Sequence, residues 1–204
     1  MKKTEKWYHP FDSAEEYHFD VFVKEMTKAG HITSVNYHPE SLTVTEDVKV
    51  GVKKIKVLKR STKVTIDPKT VVQGMVYTLD WEITLSDEFI KFGKEHGFIA
   101  DIANGDVWIN KTPIIILSNG IWYVDVKGNA SRFDDGRHFR GLQKMVYRLH
   151  NKFPQKIVIS PSEKSFFDRA YTPDRYLSTD MTMKPRSIKY DTRGMDEWLG
   201  GYSE

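Results

Sequence analysis

The stretch Ile121-Trp122-Tyr123-Val124-Asp125-Val126-Lys127-Gly128 constrains this chain more than any other. An apolar run this short, set between Asn119-Gly120 and Gly128, reads as a strand, and strand side chains alternate between two faces. Trp122, Val124 and Val126 then share one face, and Tyr123, Asp125 and Lys127 the other. A carboxylate and an ammonium stand two residues apart at a strand end. Divalent-metal nucleases need such a pair, an acid to hold the ion and a lysine near the attacking water. Structural ion pairs have the same pattern, so other parts of the chain must supply the remaining ligands.

At 204 residues the chain is long enough for one domain with an appendage. It has no cysteine, which excludes disulfides, thiolate metal sites and cysteine nucleophiles and fits a reducing cytosol. No run is long enough to cross a bilayer, and no apolar segment follows Met1-Lys2-Lys3, so neither membrane association nor secretion is expected. The net charge of +3 points weakly to nucleic acid. Its distribution says more. Lysines, Lys54 and Lys56 among them, crowd residues 48–69, and Arg137, Arg140, Lys144 and Arg148 crowd a second segment. Each cluster reads as a solvated face or as a phosphate-binding one.

Asp12 and Ser13 are candidate helix caps, and Phe19, Phe22, Val23 and Met26 recur at helical spacing, which predicts a helix from about Ser13 to Ala29. Glu16 shares its apolar stripe and Glu15 is nearly as well placed. Both acids also suit the helix dipole. Strands are expected over His31 to Tyr37, Ser41 to Thr45 and Val48 to Leu58, the last with one cationic face. Val71 to Leu85 is rich in β-branched and aromatic residues and reads as one long strand. Asp80 lies within it between apolar neighbours, and burying such an acid is costly unless it is paired or binds a metal. Glu82 shares its face, as a further ligand or a solvated residue. A short helix is expected from Ser86 to Glu95, then a turn-rich stretch with a hairpin turn at Asn104-Gly105-Asp106. A tight hairpin over 114–127 turns at Asn119-Gly120. A helix from His138 to Asn151 carries Leu142, Met145, Val146 and Leu149 on one stripe, with Gln143 among the basic residues. A strand over Lys156 to Ser160 and a short helix beginning at Ser162 follow, and residues from Thr172 onward read as a weakly structured tail. The seven histidines show no metal-ligand spacing.

The order of these elements, with Tyr77-Thr78-Leu79-Asp80 and Tyr123-Val124-Asp125-Val126-Lys127-Gly128, resembles the PD-(D/E)XK nuclease superfamily, closest to phage-encoded endonucleases and Holliday-junction resolvases. Leu79 stands where a proline is usual, and Asp125 where glutamate is more common. The Ser13-x-x-Glu16 helix start matches the family's first acidic position. The resemblance covers roughly 13–29 and 71–160. It implies an α/β (α+β) fold with a restriction-endonuclease-like core, a mixed sheet flanked by helices, and an insertion at about 86–113 between the catalytic strands. The nuclease domain would span 1–171, with 172–204 as an extended tail. It further implies Mg²⁺, with Mn²⁺ as a substitute, held by Asp80, Asp125 and the Val126 carbonyl. Lys127 would steady the attacking water or the phosphate, and Glu16 would serve a second ion or a metal-bound water. The expected activity is hydrolysis of DNA, branched or duplex, by a homodimer acting in the cytoplasm (the host's, if phage-encoded). Alternatives are a DNA-binding or structural component of a phage assembly, and a site-specific or nicking nuclease of a restriction or transposition system.

Overall fold

The computed structural model describes residues 7–103, 105–106, 112–128, 136–178 and 184–202, apart from the side chain of Arg137. The chain divides into two compact units, Glu40–Thr78 and the remainder.

The larger unit is mixed α+β. Helix α1 (Ala14–Lys28) is capped by the Ser13 hydroxyl, which accepts from the Glu16 amide at 3.1 Å and donates to Glu16 Oε1 at 2.9 Å, a reciprocal cap. Strand β1 (Ile32–Tyr37) pairs antiparallel with β6 (Trp81–Leu85), β6 antiparallel with β9 (Ile121–Lys127), and β9 parallel with β10 (Pro154–Val158), giving a four-stranded mixed sheet in the order β1-β6-β9-β10. Trp122, Val124 and Val126 join Trp81, Ile83 and Ile157 in the core, where α1 adds Phe19, Phe22, Val23 and Met26. Tyr123 and Asp125, on the opposite face of β9, are buried as well. Helix α3 (Gly136–His150) buries Val146 but leaves Met145 and Leu149 exposed, so only part of its expected stripe is covered. The strand expected at Lys156 to Ser160 is β10, two residues earlier.

Helix α2 (Asp87–Glu95) is capped by Ser86, as expected. The stretch after it holds an unforeseen strand, β7 (Ile99–Asp101), which runs parallel to β8 (Ile115–Leu117) in a separate two-stranded sheet. The expected hairpin over 114–127 is therefore corrected. Asn119-Gly120 does turn, with both residues at positive φ, but a single bridge, Ser118 to Ile121, joins its arms before β8 leaves to pair with β7. Buried Asp101 accounts for the turn, accepting from the amides of Asn119 (3.1 Å) and Gly120 (2.7 Å). Gln155 accepts from the Ile116 amide and the Trp122 indole and donates to the Ile114 carbonyl, each at 2.8 Å, tying β8 to the main sheet. The expected turn at 104–106 includes Asn104, which lies outside the described residues.

Residues beyond 172 are not an extended tail where described. They hold a 3-10 turn (Asp174–Leu177) and helix α5 (Met195–Gly200), and Tyr176 and Trp198 are each 1 % exposed within the core, while Tyr190 and Tyr202 pack against it. The short helix expected at Ser162 is α4 (Phe166–Arg169). Isolated aromatics read as a tail because they lack periodicity, yet each large ring buried contributes as much as a helical stripe residue.

In the smaller unit, β2 (Leu42–Thr45) pairs with β5 (Met75–Tyr77), and β3 (Val48–Leu58) with β4 (Ser61–Val72). The single strand expected over Val71 to Leu85 is in fact three. Gly74 interrupts it because its amide donates to Asp47 Oδ1 and a Cβ there would sit 2.7 Å from the Thr45 carbonyl oxygen. A second break, over Thr78 to Asp80, separates β5 from β6. No helix among the described residues is long and apolar enough to cross a membrane.

Candidate metal centre

Asp80 sits at the entry to β6, where its amide donates to the Val124 carbonyl (3.1 Å) and its own carbonyl accepts from His38 (2.9 Å). Continuing the β6–β9 register, in which Trp81 faces Val124, sets Asp80 opposite Asp125. The side chain settles there: Asp80 Oδ2 accepts from the Val126 amide at 2.6 Å. A charge-assisted bond of this length fixes the carboxylate on the residue between Asp125 and Lys127. Asp125 is 2 % exposed, and Lys127 Nζ lies 3.1 Å from each of its oxygens. The sequence-expected trio of Asp80, Asp125 and Lys127 therefore meets at the junction of β6 and β9.

Electrostatics records the crowding. Burial, then the Asp125 charge, push the Asp80 carboxyl up to about 7, against opposing help from the Val126 amide and Lys127. Burial lowers the Lys127 ammonium, but Asp125, Asp80 and Glu16 together raise it on balance. One buried and one half-buried acid thus share one lysine, whose side chain is 44 % exposed. Such a donor set of hard oxygens with uncompensated charge suits a divalent cation.

Glu16 is buried and contributes to the field at both Asp80 and Lys127. Its oxygens are already engaged: Oε1 by Ser13, Oε2 by the Asp12 amide at 3.3 Å and the Tyr37 hydroxyl at 2.8 Å. Burial and this hydrogen bond raise the Tyr37 phenol. Glu16 does not close with Asp80 and Asp125 into a tight triple. The one group of three whose ligand atoms lie within 4.8 Å of one another, among the described residues, is Asp12, Glu16 and His38. Sequence spacing hides it, because β1 must return antiparallel beside α1 before His38 comes near. Glu15 instead lies against Gly128, where a Cβ would be 2.9 Å from its Oε1.

Glu82 pairs with Lys152 at 3.2 Å. Gln143 donates to the Pro154 carbonyl at 2.7 Å and serves α3–β10 packing. Arg140, Lys144 and Arg148 are exposed on α3, and the side chain of Arg137 lies outside those described. Lys54 and Lys56 belong to the smaller unit. Comparisons with protein-family models, with curated proteins and with solved structures each found no match.

Proposed function

We propose that this chain is a Mg²⁺-dependent endonuclease of the PD-(D/E)XK type that hydrolyses phosphodiester bonds in DNA, with branched DNA as its expected substrate. The observation that carries the reading is the hydrogen bond from the Val126 amide to Asp80, which sets a half-buried carboxylate beside the Asp125-x-Lys127 pair. The sheet order β1-β6-β9-β10 with α1 packed on it is compatible with a restriction-endonuclease-like core.

Asp80 and Asp125 would hold the ion, with the Val126 carbonyl as a further donor. A site with two carboxylates suits Mg²⁺, which keeps several waters and takes substrate phosphate oxygens. Bound there, the ion would supply Lewis-acid charge at phosphorus and a water of lowered pKa. Lys127, half-exposed beside Asp125, would orient the attacking water or stabilise charge on the phosphate. Glu16, locked by Ser13 and Tyr37, would act through the field it sets at Asp80 and Lys127. Asp80 must be ionised to hold the cation, so activity should rise with pH through about 7 at limiting metal. The exposed Arg140, Lys144 and Arg148 would contact backbone phosphates, which positions DNA without reading sequence. A homodimer is expected if junctions are cut by paired nicks. An assembly-component role would need the aromatic residues of the C-terminal segment for a partner, and two of them, Tyr176 and Trp198, are core residues.

The test is cleavage of four-way-junction and linear duplex DNA with and without Mg²⁺, by wild type, Asp80→Ala and Lys127→Ala. Loss of cutting in both variants supports the reading, and cutting at the wild-type rate in both overturns it.

A further inference from the structure

The β3–β4 hairpin is a two-stranded ribbon of about ten paired residues a strand, roughly 33 Å long. The register from Lys49 opposite Thr70 to Leu58 opposite Ser61 is unbroken, so the residues on each face follow directly. One face carries Ile55 opposite Val64, Val57 opposite Thr62, and Ile66 opposite Lys53. Gly51 lies on this face too, and a Cβ there would meet Ile66 at 2.8 Å. The other face carries Lys69 opposite Val50, Lys54 opposite Thr65, and Lys56 directly opposite Lys63. Lys59 and Arg60 form the tip.

Residues 48–72 hold eight cations against a single acid, Asp67. Of the eight, Lys49 and Lys54 have an acid beside them among the described residues, Asp47 at 3.6 Å and Asp67 at 2.8 Å. Like charges directly opposite one another in a sheet destabilise it. A solvated face has no use for an opposed lysine pair, and a polyanion does, because each phosphate it brings relieves that repulsion. A two-stranded ribbon also has the width that the major groove of B-form DNA admits.

We propose that the cationic face of this ribbon binds duplex DNA, entering the major groove with Lys54, Lys56, Lys63 and Lys69 toward the phosphates and Lys59 and Arg60 at the leading tip. The ribbon is a binding arm with no part in catalysis. The proposal rests on DNA being the ligand of this chain. Binding is read in EDTA, so that a failure of this arm and a failure of the metal centre give different results.

The experiment is fluorescence anisotropy of a labelled 30-base-pair duplex with the full chain in EDTA, across a series of salt concentrations. Lys56→Gln/Lys63→Gln should bind about tenfold or more weakly, with a salt slope smaller by about two, since each phosphate contact contributes roughly 0.9. Its melting temperature should equal or exceed that of wild type, because the opposed charges are gone. A merely structural pair would lower it. Lys56→Arg/Lys63→Arg should retain affinity and slope, as should Val57→Thr on the opposite face. Unchanged affinity and slope in the glutamine variant overturn the proposal. So does equal binding of duplex RNA, whose major groove is too deep and narrow for a ribbon, or binding of vesicles containing one part phosphatidylglycerol to three parts phosphatidylcholine in preference to the duplex.

Discussion

Asp80→Asn should make the metal-free protein more stable at alkaline pH while removing its activity. The fold raises this carboxyl from 3.8 to about 7, by burial first and by Asp125 second. The folded value lies above the unfolded one, so the stability it contributes is fully present below about pH 4 and is lost as pH rises through 7. At about 1.4 kcal/mol per pH unit, roughly three units correspond to about 4 kcal/mol. Solvent screening of a partly exposed group reduces that figure. Asparagine keeps an oxygen for the Val126 amide, but a neutral acceptor gives up about 1 kcal/mol relative to a carboxylate. The net gain is about 2 kcal/mol at pH 8 and about zero or slightly negative at pH 4.5. For a chain of this length that is a rise in melting temperature of roughly 4–8 °C at pH 8. Calorimetry in EDTA at the two pH values measures it. Added Mg²⁺ should narrow the gap, because wild type gains ligand stabilisation and the variant does not. A variant that melts at or below wild type at pH 8 in EDTA refutes the claim that Asp80 is held against its charge.

Lys127→Ala should reduce cleavage by about 10² or more, the scale for removing a preorganised charge at a reacting phosphate, and leave duplex binding in EDTA unchanged; a quantitative cleavage time course checks it. Trp198→Ala should cost about 3–5 kcal/mol, as expected for a ring buried to 1 %, and a urea melt showing under 1 kcal/mol would return the C-terminal segment to the status of a tail. His18 is held down to about 3 by burial first, then by Arg186 and Arg175. Its folded value is depressed, so the stability it contributes is present above about pH 6.5 and is lost as pH falls toward 3. His18→Gln should therefore show less loss of melting temperature between pH 7 and pH 4 than wild type. Tyr37→Phe should lower stability by about 1–3 kcal/mol by taking a donor from buried Glu16, with chemical denaturation as the readout.

Periodicity served where an element buries one face. The spacing of Phe19, Phe22, Val23 and Met26 located α1, and alternation in 121–127 put Asp125 and Lys127 on one side of β9. The pairing of Asp80 with that strand followed from the cost of setting an acid between apolar neighbours. It misled where register or long-range pairing decides. A β-rich run over 71–85 gives no sign that Gly74 is pressed against the Thr45 carbonyl, or that the chain breaks again at Thr78 to Asp80 to aim a carboxylate at Val126. A proline ordinarily punctuates a strand, yet Pro68 sits inside β4 opposite Gly51. The role of Asp101 was hidden because its partners lie 18 and 19 residues away. The Asp12, Glu16 and His38 group depends on the antiparallel return of β1, and the burial of Tyr176 and Trp198 depends on tertiary packing that no local pattern encodes.

The most direct measurement is anomalous scattering from Mn²⁺-soaked crystals of the protein. The expected result is a peak about 2.0–2.3 Å from carboxylate oxygens of both Asp80 and Asp125, absent in Asp125→Asn. A peak confined to Asp12, Glu16 and His38, with none between Asp80 and Asp125, would contradict the assignment of the metal centre.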